Sequence, residues 1–246
     1  MDQHELYQLS AASSVSTRDM SPALVARDDF VVRHISKFLG GNKSSRIAEL
    51  SVGDGRMTLA MLAALPKATL TCAEISASRI DALRDEICRS PSLRMPEFLV
   101  CNLDTDFSEI PNDAFDAVVA LDIMEHVLDV FSFISHCQRV LKPGAWLYLR
   151  VPNIAYLKHR LNLLRGRMPV TSSWFGLSGD LSAWRHQHGW DGGHLHLFTI
   201  PILRQLLREA GLVVESCDDA GASHPRLRKV WPNLLFANPL LIARKN

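Results

Sequence analysis

Apolar positions fall into two rhythms along this chain. Leu24, Val25, Phe30, Val31, Ile35, Phe38 and Leu39 recur at helical spacing, which predicts a helix over 23–39 stopped by Gly40-Gly41. Short apolar runs then alternate with amphipathic ones. They predict strands at 46–51, 68–73, 97–101, 115–121 and 145–151. Helices are expected at 57–65, ended by Pro66, at 76–89 with Ser76 or Ser78 as the N-cap, and at 122–141. Residues 52–56 and 142–144 read as Gly-containing turns. Such alternation builds a parallel sheet with helices on both faces.

The last hundred residues change character. A basic amphipathic helix is expected at 154–165, with Lys158, Arg160, Arg165 and Arg167 as a solvated face, a rim for an acidic substrate or a docking face. A long stretch, 166–193, holds Trp174, Trp184, Trp190, His186 and His188, and its tryptophans suit either packing or an apolar lid. A helix at 201–210 capped by Gly211 and strands at 212–217 and 234–243 complete the pattern. The division expected is a loosely held tail, 1–22, and one domain, 23–246, with a substrate-side excursion at about 154–198.

Composition narrows the class. Apolar residues make up 47% of the 246, enough for a sizeable core. Lys and Arg total 27 against 26 for Asp and Glu, so no basic excess points to nucleic acid. Cys72, Cys88, Cys101, Cys137 and Cys217 form no C-x-x-C pair and read as reduced thiols, which predicts a cytoplasmic protein. No apolar run reaches the roughly 18 residues of a membrane span, so no membrane partner is expected.

The chemistry starts at Glu49-Leu50-Ser51-Val52-Gly53-Asp54-Gly55, which follows a strand and opens a helix. Small residues there admit a ligand close to the backbone, and a helix N-terminus favours an anionic group. Glu74 ends the next strand, where a carboxylate can accept hydrogen bonds from a ribose diol. Phe115-Asp116-Ala117-Val118-Val119, Met124-Glu125-His126-Val127, Arg139-Val140-Leu141-Lys142-Pro143-Gly144 and Val151-Pro152-Asn153 follow in order. The series resembles the class I S-adenosylmethionine-dependent methyltransferases, near the MetW and methyltransferase type 11 group. The resemblance implies a Rossmann-like, doubly wound, seven-stranded sheet of six parallel strands and one antiparallel strand, with helices on both faces. It also implies S-adenosylmethionine as cofactor and a small-molecule methyl acceptor. By the same resemblance Gly53 and Gly55 line the methionine part and Glu49 orients the loop. Glu74 and Ile75 flank the ribose, Asn102 and Leu103 meet the adenine, and Asp122 closes the cofactor site. Ser51 stands where the family has Gly.

Tyr156 to Thr171, with His196-Leu197 and Thr199-Ile200, is similar to the matching stretch of MetW-type proteins. That likeness opens a second reading, a non-catalytic partner of a homoserine acyltransferase. Asp122, Glu125 and His126 share one face if 122–126 is helical, and His194 follows downstream. This set is similar to the magnesium or manganese site of small-RNA 2′-O-methyltransferases, and to the Glu-x-x-Glu-His of the ubiquinone-pathway O-methyltransferases. It makes Asp122, Glu125, His126 and His194 candidate metal ligands and adds an RNA 3′-end 2′-O-methyltransferase as a third reading. Without metal, His126 and His194 are the candidate general bases for an oxygen acceptor. A homodimer or an acyltransferase complex stays open.

Overall fold

The computed structural model describes residues 22–39, 44–171, 193–219 and 228–246. Residues 1–21 of the expected tail, Gly40-Gly41, the three excursion tryptophans Trp174, Trp184 and Trp190, and the His186/His188 pair lie outside the described residues, while Pro22, placed in the tail, opens the first helix.

Helix α1 (Pro22–Leu39) precedes β1 (Arg46–Leu50), α2 (Arg56–Ala64), β2 (Thr69–Glu74), α3 (Ala77–Cys88) and β3 (Glu97–Val100). After a 3₁₀ turn, Phe107–Glu109, come β4 (Phe115–Leu121), α4 (Val130–Val140) and β5 (Leu141–Arg150). The remainder is α5 (Leu157–Leu164), α6 (Ile200–Glu209), β6 (Leu212–Asp218), α7 (Pro232–Leu235) and β7 (Leu240–Lys245). The strands form one sheet in the order β3-β2-β1-β4-β5-β7-β6. Pairs from β3 through β5 are parallel, and β7 runs antiparallel to both β5 and β6. The seven-stranded sheet with one reversed strand matches the expectation.

Period-two alternation divides the core between the two faces. Ala117 and Val119 of β4 pack with Val31 and Ile35 of α1, Met61 of α2 and Leu83 of α3. Val118 and Ala120 face Phe133 and Cys137 of α4 and Leu203 and Leu207 of α6. Strand order reverses between β1 and β4, so the carboxyl ends of these strands open the crevice where doubly wound sheets place ligands.

Four expectations need correction. The helix placed at 122–141 begins only at Val130. Asp129 caps it, accepting from the Phe131 and Ser132 amides, while Asp122 at φ +57° is left-handed and cannot belong to a helix. The helix placed at 154–165 starts at Leu157, because Asn153 Oδ1 takes the Ala155 amide and its carbonyl takes that of Tyr156. The strand placed at 234–243 is a short helix, α7, followed by β7 from Leu240. Pro232 opens the helix, and Pro239 precedes the strand. The turn expected at 142–144 is an irregularity inside β5, whose pairing with β4 shifts between Phe115 and Ala117, with Gly144 at φ +76°.

Candidate active site

The glycine-containing turn leaves β1 in three left-handed steps, Ser51 at φ +66°, Gly53 at +56° and Gly55 at +78°. Nothing lies within 4 Å of where a Gly53 Cβ would stand, so that stretch of backbone faces open space. A Cβ on Gly55 would stand 2.7 Å from Leu83 Cδ1, so Gly55 lets the loop close against α3. Ser51 holds a left-handed backbone that favours glycine. Its hydroxyl turns aside and donates to Glu74 Oε2 at 3.3 Å. The serine therefore braces the neighbouring carboxylate.

Glu74 is buried at the end of β2, and its Oε1 accepts from the Ser76 amide at 3.1 Å, with Arg79 3.8 Å away. Each carboxylate oxygen keeps a further lone pair. Glu49, buried beneath the loop, takes the Thr58 hydroxyl at 2.5 Å and lies 3.9 Å from Cys72 Sγ. Burial pushes its pKa up to about 8 against the Thr58 hydrogen bond. At neutral pH it is a largely protonated strut holding the loop to α2. Ile75 and Leu103 are half-buried at the ends of β2 and β3. Asn102 lies beside Leu103, and its Oδ1 accepts from the Asp104 amide at 3.0 Å. Glu49, Ser51, Gly53, Gly55, Glu74, Ile75, Asn102 and Leu103 thus line the carboxyl ends of β1, β2 and β3.

Asp122 does not join the histidines. Its Oδ1 accepts from Arg150 Nε at 2.7 Å, and its Oδ2 is gripped by Arg150 and approached by Arg27 Nη1 at 3.6 Å. Two guanidiniums on one carboxylate exclude a cation from it, which removes Asp122 from the candidate metal set. Arg27 is buried in turn against Asp28. Burial and the facing Arg27 charge lower the Arg150 pKa, yet the guanidinium stays protonated at neutral pH.

Glu125, His126 and His194 do converge, with one donor atom from each lying within 4.8 Å of the others. They meet through a turn closed by the His126 amide on the Ile123 carbonyl. The segment carrying His194 returns alongside, as the Leu195 amide donates to the Glu125 carbonyl at 2.8 Å. The His126 and His194 rings stand edge to face with centroids 4.7 Å apart. His126 Nδ1 lies 3.2 Å from the Gly193 carbonyl. A carbonyl only accepts, so Nδ1 carries the proton and neutral His126 presents its lone pair at Nε2. His194 Nδ1 is 2.7 Å from Thr171 Oγ1, which turns Nε2 toward Glu125 Oε1 at 3.9 Å.

Sequence reasoning missed Arg27, Asp28, Arg150 and Thr171. The signal for the first two was a charged pair one turn before Val31 on the buried side of α1. Arg150 ends β5 directly beyond the apolar run, and Thr171 carried no signal.

A methyltransferase-domain family profile matches residues 25–217. The mitochondrial ubiquinone biosynthesis O-methyltransferase of Homo sapiens is 38% identical over 68 residues, 28% of this chain and 18% of that protein. The ubiquinone biosynthesis O-methyltransferase of Chromobacterium violaceum is 30% identical over 127 residues, 52% of this chain and 50% of that one. The chain therefore spans no more than half the length of either relative. The S-adenosylmethionine-dependent methyltransferase of Mesorhizobium loti superposes with a TM-score of 0.60 at 16% identity, covering 89% of this chain and 98% of its own. With the profile spanning most of the sheet and the crevice at the carboxyl ends of its strands, the chain belongs to the methyltransferase-domain family and has the fold of S-adenosylmethionine-dependent methyltransferases.

Proposed function

We propose that this protein transfers a methyl group from S-adenosylmethionine to an oxygen of a small-molecule acceptor, with Glu125, His126 and His194 at the acceptor. The observation that carries this reading is the convergence of two imidazoles and a carboxylate beside the cofactor crevice. A hydroxyl must lose its proton to become a good nucleophile, and an imidazole is the side chain suited to take it near neutral pH. The O-methyltransferases to which the chain is similar favour the same element as acceptor.

S-adenosylmethionine, when bound, supplies an electrophilic methyl on sulfur. The open backbone at Gly53 and the turn at Gly55 would receive its methionine part, Glu74 its ribose hydroxyls, and Ile75, Asn102 and Leu103 its adenine. Asn102 would meet the base through its amide NH₂ and the second lone pair of Oδ1. Asp122, fixed by Arg150 and Arg27, closes the methionine end. Positioning accounts for much of the rate in an in-line displacement, and these groups supply it.

Glu125, His126 and His194 also fit a divalent ion. Two nitrogens and one carboxylate oxygen suit a borderline metal, and the hydrogen bonds to Gly193 and Thr171 orient the rings as a ligand shell requires. Manganese fits that set better than magnesium, which prefers oxygen ligands, and would lower the pKa of a bound hydroxyl. His126 Nε2 serves either as ligand or as base, and metal dependence separates the two roles.

The test is calorimetric titration with S-adenosylhomocysteine, with and without magnesium or manganese, followed by labelled-methyl transfer to a panel of phenols and catechols. Binding followed by methyl-ether products supports the proposal. Methyl groups found on nitrogen or carbon would remove the oxygen acceptor, and absent cofactor binding would remove the catalytic reading.

A further inference from the structure

Helix α5 turns its leucines outward. Leu157, Leu161 and Leu164 lie four and three residues apart, hence on one face, and are 39%, 37% and 83% exposed. His159 is the residue this helix buries. Arg160 flanks the leucine row on one side and Lys158 and Arg165 on the other, all three exposed. Arg160 Nε donates to the Ala155 carbonyl at 2.6 Å. Met168, 57% exposed, and Arg167 continue the same composition beyond Gly166.

The charge is one-sided. No Asp or Glu occurs from residue 151 to residue 179, while Lys158, Arg160, Arg165 and Arg167 all fall within it. The whole chain carries only +1, so this is a local concentration of positive charge. A solvated helix face explains the cations but not the outward leucines. A purely apolar partner explains the leucines but leaves the cations without counter-charges.

We propose that α5 docks on an anionic phospholipid surface. Leucines flanked by lysine and arginine are the arrangement of an interfacial helix. The apolar row enters the boundary of the acyl region, and the long cationic side chains lie along it with their charges at the phosphates. No helix among the described residues is long and apolar enough to cross a membrane, and surface docking needs none. The expectation of no membrane partner rested on the missing span alone. Because α5 follows the carboxyl end of β5, docking holds the edge of the sheet that carries the cofactor crevice toward the lipid. The inference does not depend on the identity of the methyl acceptor.

Co-sedimentation of the full chain with vesicles tests it. The chain is expected to pellet with phosphatidylserine–phosphatidylcholine vesicles, to be released by salt, and to remain in solution with pure phosphatidylcholine. The double variant Lys158→Glu/Arg165→Glu should weaken binding at least about tenfold. Leu164→Ser should weaken it severalfold while leaving the salt dependence in place. Thermal unfolding and S-adenosylhomocysteine binding confirm that both surface variants are folded. Equal binding to neutral vesicles, or undiminished binding by both variants, overturns the proposal. A chain that stays in solution at every lipid composition also overturns it, leaving the leucine row to residues 172–192, a second copy or an acidic protein.

Discussion

Gly55 and Ser51 show what one backbone angle decides. At Gly55 a positive φ combines with a 2.7 Å approach to Leu83, so Gly55→Ala is expected to lower stability by about 1–3 kcal/mol in urea unfolding. At Ser51 the two effects oppose. Gly there would relax the left-handed backbone but release Glu74 from the serine hydroxyl. Ser51→Gly should leave stability within about 1 kcal/mol of the parent and weaken S-adenosylhomocysteine binding by calorimetry. Glu49 sets a pH signature. Its folded pKa, about 8, lies above the ordinary value, so its contribution is complete below about 4.5 and is lost as pH rises through 8. Glu49→Gln is expected to flatten that decline in unfolding free energy measured from pH 5 to 9. His126→Ala should lower turnover by about 10²–10⁴-fold if the imidazole is the base, with cofactor binding retained. A loss confined to metal-supplemented assays would identify it as a ligand instead. The glycines and Glu74 were legible from sequence, because a tight turn after a strand needs those residue types. The role of Ser51 was not, since whether a hydroxyl points at a ligand or at a neighbour depends on a dihedral that composition does not encode.

Among the elements, the sheet was more legible than the connections. Strands β1 to β4 fall within one or two residues of their apolar runs, and for β1, β2 and β4 burial on both faces writes a continuous signal. The helix expected at 122–141 misled because Met124 and Val127 are buried in a turn, and that burial imitates a helical stripe. Glu125 and His126 still reach His194, but by the return of a distant segment, which local periodicity cannot report. Asn153 is the clearest case of a side chain organising elements. It is fully buried after β5, donates to the Asn233 and Phe236 carbonyls at 3.1 and 2.8 Å, and accepts from the Ala155 amide at 3.0 Å. It thereby ties α7 and the approach to β7 to the exit of β5. Asn153→Leu would leave three buried backbone groups unpaired. A loss of about 3 kcal/mol or more is expected in chemical denaturation, although the residue touches none of the candidate catalytic groups.

For the whole molecule, cofactor and fold are linked. The proposed cofactor site draws on α1, the turn after β1 and the ends of β2 to β5, so a ligand bound there would tie both halves of the sheet together. S-adenosylhomocysteine at a hundredfold excess over its dissociation constant should stabilise the protein by about 2.7 kcal/mol, read as a rise in melting temperature. The position of β7 carries a consequence for how the chain is made. This strand is encoded after β6 yet lies between β5 and β6, pairing with both. While residues 240–245 are still in the ribosome, β6 has no sheet neighbour and β5 shows an unpaired edge to solvent. The nascent chain can assemble β1 to β5 first, but it must keep a gap one strand wide until β7 inserts. A chaperone that shields that edge would act between the emergence of β5 and that of β7, and the step it guards is an antiparallel zipping of six residues.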